Sequence, residues 1–234
     1  METISLRVVS ISKRGDTIGV DQLISAQPGL VPQERGTMTR ARIWAATVFI
    51  DYVPGYVHVG LMKDQSGEST RQVKHDFEHI SSTRDVNIKH YNADNGRFAE
   101  KLFTDDVKKS LQRITFCGVG AHHQNGITER VIKQLTLTSH ILILHAQNHW
   151  PEYISTMLCP FALKAAQDRL NQLNINLEGT TPDMIFSGVA AATLRLRNFH
   201  TFGCPCYIFD SRLQTNLKGV PKWEPRARLG IYLG

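Results

Sequence analysis

Two apolar runs separated by a Pro-Gly turn constrain this chain more than any other feature. Residues 43–50, Ile43-Trp44-Ala45-Ala46-Thr47-Val48-Phe49-Ile50, are rich in β-branched and aromatic side chains. Pro54-Gly55 punctuates them, and residues 56–61 resume with alternation. Two such runs around a tight turn read as an antiparallel hairpin. A third run, Thr17-Ile18-Gly19-Val20, precedes them and ends at Asp21. Together the three predict a meander. The Pro28-Gly29-Leu30-Val31-Pro32 stretch between them reads as loop.

Downstream the period changes. Ser69-Thr70-Arg71-Gln72 matches a capping box, and Val73, Phe77 and Ile80 follow at helical spacing, predicting an amphipathic helix over 69–81. Residues 86–91 alternate as a strand. Residues 98–111 read as helix, 114–117 as a further strand and 118–126 as loop. A long helix is predicted over 127–147, ended by Pro151, and another over 152–171 broken near Pro160. Gly179-Thr180-Thr181-Pro182 opens a short helical turn, and residues 206–209 and 228–233 read as strands. Hairpin first and crossovers later describe an α/β domain with a mixed sheet.

Composition excludes several classes. The 234 residues, 41% hydrophobic and 21% charged, suit a globular domain with one sizeable core. No run approaches the roughly 20 apolar residues of a membrane span, and the first residues lack the pattern of a signal peptide. The chain is therefore expected to be intracellular. Cys117, Cys159, Cys204 and Cys206 make no disulfide framework, and Cys204-Pro205-Cys206 lacks the second ligand pair of a zinc site. The net charge is +6, of which +5 falls in residues 195–234. A nearly neutral body with a basic end suggests polyanion contact through the tail, with a solvated basic surface as the plain alternative.

The acids carry the chemistry. Asp21 and Asp94 each follow a strand-like run, and Asn95-Gly96 turns the backbone away after Asp94. Glu129 opens the long helix, with 34 residues between it and Asp94. If Ile127, Val131 and Leu135 face the core, Glu129 lies about 160–200° away from that stripe, with Lys133 one turn below. Singly, each acid could be an ordinary turn or surface residue. Three converging carboxylates can hold divalent cations for phosphoryl transfer.

In combination, Gly19-Val20-Asp21-Gln22-Leu23, Ala93-Asp94-Asn95-Gly96-Arg97-Phe98 and His122-His123-Gln124-Asn125-Gly126-Ile127-Thr128-Glu129-Arg130 resemble the integrase catalytic core of copia-type LTR retrotransposon polyproteins. That group belongs to the retroviral integrase superfamily. The resemblance implies an RNase H-like fold, a mixed five-stranded sheet flanked by helices, over residues 15–178. Residues 1–14 stay unassigned and 179–198 form a linker. Residues 199–234, through Phe202-Gly203-Cys204-Pro205-Cys206-Tyr207 and Pro225-Arg226-Ala227-Arg228-Leu229-Gly230, resemble the start of an SH3-like β module.

The resemblance further implies a DDE-type polynucleotidyl transferase with Asp21, Asp94 and Glu129 as catalytic residues and ligands of two Mg²⁺ (or Mn²⁺) ions. Asn95, Gln124, Asn125, Arg130 and Lys133 would meet nucleic acid. The partners implied are retroelement and target DNA and further copies of the same chain, and the place of action is the nucleus. The Asp94–Glu129 gap is one residue shorter than the commonest family spacing, and the zinc-binding N-terminal domain of a full integrase is absent, so the chain looks like a fragment. Two rival readings stand beside integration: an RNase H-like nuclease using water, and an inactive nucleic-acid-binding remnant.

Overall fold

The computed structural model describes residues 13–32, 39–117, 125–189, 199–209 and 223–234. Its centre is a five-stranded mixed sheet in the order β3-β2-β1-β4-β5. The strands are β1 (Ile18–Leu30), β2 (Arg42–Asp51), β3 (Val57–Met62), β4 (His90–Ala93) and β5 (Arg113–Phe116). The first three form an antiparallel meander, and β4 and β5 join β1 in parallel. Parallel strands need crossovers, which α1 (Gly67–Ser82) and α2 (Lys101–Lys109) supply. They cover one face, where Phe49, Phe77, Tyr91, Phe98 and Phe103 form an aromatic-rich core. The long α3 (Gly126–His149) and α4 (Cys159–Leu173) cover the other face over Val48, Ile50, Val59 and Leu135. Buried on both faces, β2 is accordingly a nearly unbroken apolar run.

Several expected boundaries move. Asp21 is not the end of its strand: β1 continues through Pro28-Gly29 to Leu30 along β2, with a register shift between Ile24 and Gly29. Pro28 is tolerated because it lies in that irregular stretch, where the ladder needs no N–H from it. The cap of α1 is Ser66, whose hydroxyl accepts from the Ser69 backbone N–H, so the helix starts before the expected capping box; Gln72 instead donates to Asp76. The strand expected at 86–91 is β4 at His90–Ala93, and the helix expected at 98–111 is a 3-10 turn (Arg97–Ala99) followed by α2. Pro160 does not break a helix but opens α4, where its missing N–H costs nothing.

Within the stretch expected to be linker, Thr181 caps α5 (Pro182–Ser187). Phe186 of α5 is fully buried and stacks on Tyr56, ring centroids 4.0 Å apart, while Arg84 pairs with Asp183 at 2.7 Å. Near the C-terminus β6 (Pro205–Phe209) and β7 (Ala227–Ile231) form a two-stranded antiparallel sheet. Phe202 and Ile231 anchor this segment to Ile143, Ala146 and Leu158 of the α3/α4 layer. All four cysteines are free thiols. Among the described residues no helix is long and apolar enough to cross a membrane.

A buried ionic cluster lies on the α1/α2 side. The Lys74 ammonium, 0% exposed, sits 2.7 Å from Asp106 and 3.0 Å from Glu78. His75 adds a contact to Asp106, while the Tyr91 hydroxyl and the Gln112 amide donate to Glu78.

Candidate active site

Strand register brings the two aspartates together. The parallel ladder between β1 and β4 pairs Ile18 with Tyr91, Gly19 with Asn92 and Val20 with Ala93. The next residues along the two strands are Asp21 and Asp94. Neighbouring strands lie about 4.8 Å apart, so the two acids leave the sheet side by side. Val20 and Ala93 point into the α1/α2 core with 0% exposure. Alternation therefore sends Asp21 and Asp94, with Gly19 and Asn92, to the α3 side. The Asp94 carboxylate accepts from the Gly96 N–H at 3.1 Å, and that of Asp21 from the Gln22 N–H at 2.7 Å.

Helix α3 reaches these acids because residue 19 has no side chain. A Cβ there would collide with the Thr128 hydroxyl and with the Tyr52 ring. Thr128 is fully buried against β1, and Glu129 follows it in the first turn of α3. Two hydrogen bonds fix the approach: the Tyr52 hydroxyl lies 3.3 Å from Thr128 Oγ1 and accepts from Asn92 Nδ2 at 3.1 Å. Elements β2, β4 and α3 thus meet at one phenol. The expected core stripe of α3 is corrected here. Ile127 is 51% exposed, and the buried positions are Thr128, Leu135, Ser139, Ile143 and Ala146. A polar threonine seated over a glycine outcompetes the neighbouring isoleucine, which hydrophobic periodicity cannot register. Glu129 is exposed.

Electrostatics ties the three acids into one group. The Asp21 carboxyl is pushed up to about 6, first by burial, which its hydrogen bond from Gln22 partly offsets, and then by the negative charges of Asp94 and Glu129. The Cys117 thiol at the end of β5 is raised by burial and by the same three carboxylates. None of the three joins an ion pair among the described residues. Three hard oxygen donors without a protein cation suit Mg²⁺ or Mn²⁺ as a donor set. Their spacing is looser than a coordination shell: among the described residues no three His, Cys, Asp or Glu side chains are drawn close enough to hold a metal ion.

The remaining site expectations divide. Arg130 and Lys133 are exposed on α3. Asn95 donates its amide to the Cys117 carbonyl at 2.6 Å, tying the ends of β4 and β5 together. Asn125, expected to meet nucleic acid, is only 3% exposed, and its Oδ1 has no partner among the described residues. Gln124 lies outside the described residues. Sequence reasoning missed Gly19, Tyr52, Asn92 and Thr128 as a positioning set. The only sequence signal was a glycine two residues before a candidate acid.

Comparison with solved structures agrees on the fold. The HTLV-2 integrase catalytic core domain in complex with magnesium, in its trimeric form, superposes with a TM-score of 0.53 at 17% identity, over 74% of this chain and 97% of that one. A chain of the simian T-cell lymphotropic virus intasome bound to PP2A regulatory subunit B56 gamma gives 0.56 at 15% identity, over 94% and 68%. The BIV integrase catalytic core domain gives 0.50 at 15%, over 74% and 93%. This chain has the fold of a retroviral integrase catalytic core. No protein-family model matches it, and no curated protein does.

Proposed function

We propose that this chain is a polynucleotidyl transferase that joins the 3′ ends of retrotransposon DNA to target DNA. The observation that carries the reading is the adjacency of Asp21 and Asp94 at the end of the β1/β4 ladder, with Glu129 brought over β1 by the Gly19–Thr128 contact. The raised Asp21 carboxyl adds to it, because like charges gathered without a partner are stabilised by an arriving cation. The fold supports it too, since the integrase cores it resembles include one solved with magnesium.

In this reading Asp21 and Asp94 form the rigid half of a metal-binding site, because Asp21 lies in β1 and Asp94 follows directly on the end of the β1/β4 ladder. Glu129, exposed in the first turn of α3, would supply the third carboxylate of the donor set. Asp21, Asp94 and Glu129 would hold two divalent cations, which would supply activation of a DNA 3′-hydroxyl as nucleophile and offset charge on the leaving oxygen. Arg130 and Lys133, on the exposed side of α3, bind backbone phosphates and orient the strands. Tyr52 and Thr128 keep α3 seated so that Glu129 stays within reach. DNA and further copies of this chain are the partners, and the nucleus is the place of action.

The test is a strand-transfer assay with a labelled duplex carrying an element-end sequence, Mg²⁺ and a plasmid target. Joined products are expected, and Asp94→Asn is expected to abolish them while leaving the melting temperature unchanged or slightly raised. Nicking without joining would point to a water-using nuclease, and a band shift without either to a binding remnant. A variant joining at the wild-type rate overturns the assigned site.

A further inference from the structure

The sheet face that carries the acids does not end at them. On the α3 side of β4, Asp94 is followed down the strand by Asn92 and His90, and β5 pairs Thr115 with Asn92 and Arg113 with His90. Not one of these side chains is apolar. They are linked: Thr115 Oγ1 lies 3.3 Å from Asn92 Oδ1 and 2.8 Å from His90 Nε2, and Thr17 Oγ1 lies 3.3 Å from His90 Nδ1. Among the described residues, the helices on this side pack elsewhere, α3 on β1 and β2 and α4 on β3 and β1. Arg113, Thr115 and Asp94 are exposed. A strand pair that is apolar on one face and wholly polar on the other is built to keep that second face wet.

This strip runs from the acids to a cleft of about 580 Å³ whose lining includes Asp16, Lys89, His90, Lys108, Arg113 and Thr115. Asp16 is engaged by Lys89 at 2.7 Å. Lys108 and Arg113 have no carboxylate partner among the described residues. Two cations without an ion pair among the described residues therefore line a cleft at the far end of a polar track. Four residue steps lead from His90 along β4 to Asp94 just past its end, so Arg113, paired with His90, stands about 13 Å from Asp94 at roughly 3.3 Å per step. That distance is about two phosphate steps, because neighbouring phosphates on one strand lie roughly 6–7 Å apart in space although they rise only about 3.4 Å along the helix axis.

We propose that Arg113, assisted by Lys108, is a phosphate subsite for the polynucleotide strand whose reactive end lies at Asp21 and Asp94. Thr115 and Asn92 line the path between the two. The register depends on the function proposed above, whereas phosphate binding at Arg113 does not. A guanidinium suits the role because its fork meets a phosphate oxygen pair. The strip grips the backbone and reads no bases.

The test is equilibrium binding of a fluorescently labelled duplex to the full chain without divalent metal, across a salt series. Arg113→Gln should weaken binding several-fold and reduce the slope of log K against log salt by about one, the loss of a single phosphate contact. Arg113→Lys should retain most of the slope. Arg71→Gln, on the opposite face, should leave it unchanged, and unchanged melting temperatures show that the variants fold. A single neutral methylphosphonate, walked along the strand, should mimic Arg113→Gln at about the second phosphate from the reactive end and add nothing in that variant. An Arg113→Gln slope equal to that of wild type overturns the proposal. A neutral linkage acting at a distant phosphate overturns its register. If wild type shows the predicted slopes yet joins no DNA, the subsite stands and the transferase reading falls.

Discussion

The two faces of the sheet each hold a charged cluster, and they are solved in opposite ways. On the α1/α2 face, Lys74 lies between Asp106 and Glu78, and His75, Tyr91 and Gln112 supply further hydrogen bonds. Burial pushes the Asp106 carboxyl up, but hydrogen bonds from Lys74 and His75 and their charges outweigh it and hold the carboxyl below its usual range. On the α3 face, Asp21, Asp94 and Glu129 have no ion-pair partner among the described residues, and Asp21 moves up instead. The first cluster is complete with what the chain provides. The second has no opposite charge among the described residues, and that difference is the one expected between a structural cluster and the reactive one proposed above.

Four outcomes would break or sharpen this contrast. The largest is Lys74→Met, which leaves two carboxylates facing each other at the α1/α2 seam. A loss of about 3 kcal/mol is expected in urea unfolding, the low end of the range for breaking a buried pair because both acids still reach some solvent. A loss below about 1 kcal/mol would mean the cluster is not self-contained. Next, Mg²⁺ at about 100 times its dissociation constant should stabilise the wild type by about 2.7 kcal/mol through mass action. Asp94→Asn should remove that gain and Lys74→Met should keep it; equal gains in all three would place the metal elsewhere.

A smaller effect concerns pH. The Asp21 carboxyl titrates near 6 when folded against 3.8 as its reference value. Its contribution to stability is complete below 3.8 and is lost as pH rises through 6. In metal-free buffer Asp21→Asn should therefore be more stable than wild type above pH 6, by about 1 kcal/mol after allowing for partial exposure. That advantage should shrink toward pH 4, and a constant difference across the range would discard burial as the cause. The smallest effect is that of Tyr52→Phe, which removes one hydroxyl from the Asn92–Thr128 bridge and should cost about 1 kcal/mol. If the bridge positions Glu129, the variant also needs more Mg²⁺ for half-maximal joining; an unchanged Mg²⁺ requirement leaves Tyr52 a structural role only.

Much of the architecture was legible locally. The hairpin of β2 and β3 followed from β-branched runs around Pro54-Gly55, and the crossovers from a change of period. The boundaries failed where a neighbour overrode local preference. Strand β1 runs through Pro28-Gly29 because β2 continues to pair with it, and Ile127 points outward because Thr128 occupies the space over Gly19. Lys74 could not be read as buried, since nothing in its helix announces the Asp106 partner 32 residues away.

Sequence alone determined which residues are candidates for the chemistry: three carboxylates, in or beside a strand or helix, in a context that resembles integrase cores. Only the tertiary structure decided that Asp21 and Asp94 come next after the last pair of the β1/β4 ladder, that a glycine admits the helix bearing Glu129, and that Arg113 lies on the same open face. The physical reason is that side-chain type is written residue by residue, whereas strand register and helix approach are set by packing between segments far apart in the chain.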